Sequence, residues 1–162
     1  MTATINDQLV ELGVLGDQNN TAIQRKGAHL IDGFLMSFNE SDIDEQTTVM
    51  ALHYLTDIQV RDYAMGLLDK YDNVLPALNY LLDKAPTDTA FINAPAALLA
   101  TYLYERGDSA SASITLTNAQ QHYSLGMLLR RVIAAGMPPS MFSVMRESLH
   151  PKVVAGIFGE EE

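Results

Sequence analysis

Apolar residues recur along this chain at intervals of three and four, and no stretch keeps a period of two, so the pattern predicts helices and no strands. Asp7 reads as the cap of a short helix through Leu9, Val10, Leu12 and Val14, which Gly13, Gly16 and Asn19-Asn20 break. Thr21 reads as the N-cap of a helix to Phe38, with Ile23, Leu30, Ile31, Phe34, Leu35 and Phe38 on one face. Asn39–Ser41 is a turn, and Ser41 with Asp44 matches a capping box for a helix carrying Val49, Met50, Leu52, His53 and Leu55. Asp57 is placed to cap a helix with Val60, Tyr63, Ala64, Leu67 and Leu68 inward. Asp72 is placed to cap one through Leu78, Leu81 and Leu82 to Lys84, with Pro76 in its first turn. Residues 86–93 read as a loop.

The stretch from Asn93 to Gly136 organises the rest. It predicts three helices, at 94–106, 109–121 and 124–135, with the Gly107-Asp108 turn inside it and Gly107 and Gly136 at the left-handed caps. Pro139 or Ser140 opens a further helix through Met141, Phe142, Met145 and Leu149, which His150-Pro151 should end. The apolar segment Val153–Phe158 would then dock back. A shift of 34 residues sets Ala100 on Gly66, Leu116 on Leu82 and Ala119 on Ala85, and turns recur near Asn39, Asp72, Gly107 and Met137. The expected fold is all-α: stacked antiparallel helical hairpins, either a tetratricopeptide-like α-α repeat or an irregular helical bundle. An N-terminal segment (1–20), one helical domain (21–158) and an acidic tail (159–162) make up the chain.

Composition narrows this picture. The chain has 162 residues, 48% of them hydrophobic, which suits one domain with a real core and excludes wholesale disorder. It has no tryptophan, so the core rests on aliphatic residues, eight Met, seven Tyr and five Phe. The net charge of −10 is uneven. Residues 1–60 hold nine acids and two bases, residues 61–124 seven and four, and residues 125–162 four of each. Such a balance disfavours nucleic acid, which is bound chiefly through Lys and Arg, and disfavours anionic membranes as well. With no cysteine there are no disulfides, thiol nucleophiles or thiolate metal sites. No basic-then-apolar leader opens the chain and no run approaches the ~18 apolar residues of a spanning helix, so a soluble cytoplasmic protein is expected.

Candidate chemistry is sparse. Glu40, Asp42, Asp44 and Glu45 form the densest carboxylate cluster, but the later ligands and turn glycine of a calcium loop are missing, and a charged helix N-terminus accounts for them. His29, His53, His122 and His150 show no zinc-binding spacing. His53 and Asp57 are four apart and can bond on one face, and His122 is placed to offset a helix dipole. Arg61 and Asp62 point different ways from adjacent positions, which predicts structural ion pairs with separate partners. Arg130, Arg131, Arg146 and Lys152 give a charge of +3 over residues 125–152 once Glu147 is counted. Met127, Met137, Met141 and Met145 beside Phe142 either fill the core or, where exposed, line an adaptable groove. Serine nucleophile motifs, dinucleotide glycine patterns and phosphate loops are absent.

Three segments carry a family resemblance: VRDYAMGLL at Val60–Leu68, APAALLATYLYERGDSASASITLTNAQ at Ala94–Gln120, and YSLGMLLRRVIAAGMPP at Tyr123–Pro139. Residues 48–147 resemble the C-terminal part of an actinobacterial family known as domain of unknown function 4192. That family shows a similar Arg-Asp pair, proline-led helix, Gly-Asp turn, alanine-rich helix and Gly-apolar-Pro-Pro end. Its members usually carry a larger preceding region and tryptophans in these helices. Here about 45 unrelated-looking residues precede the match and no tryptophan occurs. The resemblance implies a helical fold, in Arg61, Asp62, Gly107, Asp108 and Gly136 a set of structural positions, and a stand-alone or trimmed gene of actinobacterial, phage or plasmid origin. It implies no activity.

The expected role is therefore a non-enzymatic helical protein-interaction module without cofactor or metal. Its partner is an unidentified protein, and a homodimer is compatible with it. The partner surface is placed on Met127, Arg130, Arg131, Met141, Met145 and Arg146. Two alternatives are an acidic nucleic-acid mimic that blocks a DNA-binding protein, and a small metal-dependent hydrolase using the carboxylates near Glu40.

Overall fold

A computed structural model describes residues 4–16 and 19–159. Among these residues lie nine α-helices: α1 (Ile5–Leu12), α2 (Thr21–Met36), α3 (Glu45–Tyr54), α4 (Ile58–Met65), α5 (Val74–Lys84), α6 (Asn93–Glu105), α7 (Ser109–Leu116), α8 (Ser124–Ala134) and α9 (Pro139–Phe158). Short 3-10 turns occupy Glu40–Asp42 and Ala90–Ile92, and the described residues contain no strand, only an isolated bridge between Gly16 and Asp57. The all-α expectation holds, and no helix among them is long and apolar enough to cross a membrane.

Side-chain caps set most helix starts, often one or a few residues from the expected position. Thr4, not Asp7, caps α1, and the two form a capping box in which each side chain meets the other's backbone N–H. Asn20 rather than Thr21 caps α2 by accepting from the Ile23 amide. Ser41 does not open α3: its amide and hydroxyl both donate to Asn39 Oδ1, and Asp44 caps the helix by accepting from the Thr47 amide at 2.7 Å. Asp57 caps α4 as expected, through the Gln59 and Val60 amides. The cap of α5 falls on Asn73, not Asp72, without a side-chain bond. Gly107 and Gly136 take φ +87° and +69°, the left-handed conformation that glycine adopts without strain. Asp108 then caps α7 through the Ser111 amide.

Helix α7 stops at Leu116, five residues short of expectation. Thr117 and Asn118 turn their side chains back onto the Ile114 and Thr115 carbonyls, which competes with helical bonding. Arg130 donates to the freed Leu116 carbonyl at 2.9 Å.

The centre of the molecule is α6. Ten of its 13 residues are buried, which is the signature of a helix surrounded on all sides. It packs against α4, α5, α7, α8 and α9. Small residues Ala94, Ala96, Ala97 and Ala100 let those neighbours approach closely, while Leu98, Leu99 and Tyr104 fill the space between them.

Helix α9 departs most from expectation. It runs unbroken through Pro151 to Phe158, although proline removes a helical N–H and crowds the preceding turn. Tertiary contacts explain the continuation. Ile157 is fully buried, its carbonyl accepts from Arg25 Nε at 2.9 Å, and Phe158 stacks edge-on with His29 and Tyr63. Val153–Phe158 docks back as expected, but as the end of one helix. Along its length α9 packs on α2, α4 and α6.

That return adds contacts that a simple stack of hairpins lacks. In a solenoid each repeat touches only its neighbours. Here α2 packs on α3, α4 and α5 and also on α9, the last helix described. The small residue at Gly66, paired by the 34-residue shift with Ala100, accommodates His150 rather than a repeat-type crossing. Of the expected acidic tail, Glu160–Glu162 lie outside the described residues. The N-terminal segment contributes α1, whose Leu9 is buried where α1 packs on α3.

Candidate functional site

Three depressions lie along α8 and α9. The first is a cavity of about 410 Å³ between α4, α8 and α9. Its floor is apolar: Met65 from α4, Leu125 and Leu128 from α8, and Phe142, Met145, Leu149 and Val153 from α9. Arg61, Asp62, Gln59, Arg146, His150 and Lys152 supply the polar lining. A second, of about 440 Å³, opens beside it on Met137, Ser140, Met141, Val144 and Met145, so Met145 belongs to both. A third, of about 510 Å³, lies across α8 on Met127, Arg130, Arg131, Thr117, Ala119 and Gln121.

The periodicity of α9 produces the first two. Its buried positions are Phe142, Arg146 and Ile157. The adjacent stripe, Met141, Val144, Met145 and Leu149, is exposed, with Val144 at 66% and Met141 at 58%. Leu128 and Met127 of α8 are also exposed. Met127, Met141 and Met145 therefore line a surface, Met137 is half-buried against the core, and Phe142 fills the core, edge-on to Tyr104 at 5.9 Å. A volume of a few hundred Å³ with an apolar floor and a few polar groups suits either a small ligand or the side chains of a docked helix.

Arg146, expected on this surface, lies beneath it. The residue is 6% exposed. Its Nε and NH2 donate to the two carboxylate oxygens of Glu105 at 2.7 and 2.6 Å, its NH2 also reaches Asp69, and its NH1 donates to the Met65 carbonyl at 2.8 Å. Ser143 donates to Glu105 as well. Arg146 thus ties α9 to α6 and caps the C-terminal end of α4. Burial pushes the Asp69 carboxyl up, but Arg146 and then Arg106 outweigh it and hold it below the usual carboxylate range. Arg130 is likewise held by the Leu116 and Gln121 carbonyls, whereas Arg131 is exposed.

Arg61 and Asp62, expected to find separate partners, pair with each other. Arg61 Nε and NH2 donate to Asp62 Oδ1 at 2.9 and 2.8 Å, and Arg61 NH1 donates to the Tyr123 hydroxyl. The long guanidinium side chain folds back along α4, which the diverging Cβ directions do not reveal. Tyr123 Oη, raised in pKa chiefly by burial, joins α4 to the start of α8.

The other sequence candidates disperse. His53 Nδ1 lies 2.9 Å from the Gly13 carbonyl and does not meet Asp57, which caps α4 and accepts from Gln24. His122 sits exposed before α8, because α7 ends early. Asp42 accepts from Asn39, Asp44 from the Thr47 amide and Glu45 from Gln8. Among the described residues no three His, Asp or Glu side chains are grouped to hold a metal ion.

Two clusters have no sequence signal. Tyr63 and Tyr71 both donate to Asp32, and burial, then that bond, raises the Tyr63 pKa. His150 lies in the cavity wall against Gly66, with Nδ1 buried and unpartnered and its ring 5.7 Å from Tyr63. Burial, then Arg146 and Lys70, lowers its pKa. Partners on separate helices leave no local pattern.

No curated protein and no solved structure matches the chain. The family model described as domain of unknown function, DUF4192, matches residues 5–140. The match takes in α1, α2 and α3, which overturns the expectation that the first 45 residues are unrelated. It ends just inside α9, before the exposed stripe and His150. Spanning well over half of the chain, the match establishes that this protein belongs to the DUF4192 family.

Proposed function

We propose that the chain is a non-enzymatic protein-interaction module that takes an amphipathic helix into the groove between α8 and α9. The observation that carries this reading is the exposed apolar stripe of α9, Met141, Val144, Met145 and Leu149, beside the open cavity floored by Phe142. Exposed apolar residues gathered in one contiguous row, rather than scattered singly, mark interaction surfaces. Methionine suits such a groove because its unbranched, polarisable side chain adapts to the partner. With Arg146 neutralised by Glu105 and Asp69, the exposed base at the rim of the groove is Lys152, with Arg131 further along α8, and these favour an occupant with acidic flanks. Arg146, Arg61 and Arg130 support the groove from beneath by fixing α9, α4 and α8 to their neighbours.

A photoreactive amino acid at Met145 tests the reading in cells. The expected result is a specific crosslink to a protein chain that Val144→Asp abolishes, with none from the same group at Ile114, an apolar position on α7 more exposed than Met145. Equal yields from positions 145 and 114 would overturn it.

A further inference from the structure

We infer that the occupant of the α8–α9 groove is the acidic N-terminal face of a second copy of this chain, and that two copies form a twofold dimer. This rests on the groove reading above and names its partner.

The chain carries a second unpartnered apolar patch of opposite character. Val10 is 69% exposed, and Leu12 and Val14 are also open. Acids surround this patch. Asp7 and Glu11 lie on α1 itself, and the hydrogen bond from Gln8 to Glu45 brings a third carboxylate beside them. Residues 1–60 hold nine acids against two bases. Beside the groove Arg146 is neutralised by Glu105 and Asp69 and Arg130 is tied to carbonyls, so the exposed charges of α8 and α9 are Arg131 and Lys152 against Glu147. The two patches therefore match in both respects that make an interface: each is apolar at its centre, and the charges around them are opposite.

Their placement favours closure. Arg61 lines the 410 Å³ cavity of the groove, and it also lines a depression of about 320 Å³ that Val14 and Gly16 border. The Val14 end of the front and the groove thus border the same buried residue, Arg61. Two copies facing each other across a twofold axis set each front against the other's groove, so that two equal contacts form and nothing is left over to grow a filament.

The test uses the full chain in sedimentation equilibrium at low and high salt. The expected result is a reversible dimer of twice 17.8 kDa that weakens as salt rises, because the charges at its rim are screened. Lys152→Glu and Glu11→Lys are each expected to weaken association about tenfold or more, while the double variant recovers it. Val10→Asp and Val144→Asp should each abolish it while leaving the unfolding midpoint unchanged, since both side chains are exposed. A chain that stays monomeric up to millimolar concentration, or a dimer indifferent to both the Val10 and Val144 variants, would refute the inference. If the chain is monomeric and Met145 still crosslinks to a foreign protein, the groove reading stands and only the second copy is wrong. If the chain is monomeric and nothing crosslinks, both fall.

Discussion

The imidazole of His150 occupies the space into which a side chain at Gly66 would project. The C-terminal end of α4 and the middle of α9 can approach this closely only because position 66 has no Cβ. Gly66 has φ −70°, an ordinary helical value, so the glycine serves close approach and not backbone freedom. Gly66→Ala should therefore destabilise the fold by about 1–3 kcal/mol through overpacking. Adding His150→Ala should return most of that loss. Denaturant unfolding of the two single variants and the double one measures the coupling, and strictly additive effects would show that the two residues do not compete for space.

His150 also gives the fold a response to mild acid. Burial, then Arg146 on its own helix and Lys70 beyond α4, holds its pKa below the ordinary 6.5, and the ring facing it from α4 is Tyr63. Protons then bind the unfolded chain more readily than the folded one. The stability this supplies is complete above pH 6.5 and is lost as pH falls through 6.5 toward the lower folded-state value. The thermal midpoint should fall from pH 7 to pH 5, and His150→Gln should flatten that dependence. The depressed carboxyls of Asp44, Asp69 and Asp108 act only below their ordinary 3.8 and do not blur the window.

Breaking the Arg146–Glu105 pair from one side should be costly. Both side chains are 4% exposed, so Arg146→Met leaves a buried carboxylate and an unpaired Met65 carbonyl. A loss of about 3–5 kcal/mol is expected, and a smaller one for Arg146→Met with Glu105→Leu. Asp69→Asn is expected to cost only about 0–1 kcal/mol, because that carboxylate is half exposed. Equilibrium unfolding of the three variants should reproduce this ranking.

Asp32 should control the alkaline limit. Burial, then the bond to Asp32, raises the Tyr63 pKa above its ordinary 10, and Tyr71 is raised too, chiefly through the same bond. The folded state favours both neutral phenols, so this stability is present below pH 10 and is lost as pH rises above it. Of the seven tyrosines, Tyr63 should be among the last seen in an ultraviolet titration. Asp32→Asn should bring it down and lower stability by about 1.5–3 kcal/mol, the range for a hydrogen bond to a charged group.

Periodicity and capping chemistry make most of the helices legible in the sequence. Val60, Tyr63, Leu67, Leu78 and Leu81 lie inside as their spacing requires, and Gly107 and Gly136 end helices as their positions imply. The departures have a common cause. Local rules make Pro151 a stop, and the contacts of Ile157 with Arg25 and of Phe158 with His29, each more than a hundred residues away, override them. Arg146 shares a basic cluster with Arg130 and Arg131, which suggests a surface position. Its helical phase instead matches Phe142, four residues earlier, and Glu105 awaits it on α6. The exposed methionines are legible as a group, but only the turn of α9 shows which side they face. The Gly66–His150 and Asp32–Tyr63 contacts link separate helices, where spacing along the chain carries no information.

The bond from Arg25 to the Ile157 carbonyl spans 132 residues, and this has a consequence during synthesis. Helices α2 and α4 leave the ribosome long before α9, so the sides that α9 will cover stay bare through most of translation. A nascent chain can pair α6 with α7 early, since that hairpin is local, but its core cannot close until α9 emerges. Slow elongation, or stalling between α8 and α9, should therefore lengthen the time that the chain engages chaperones.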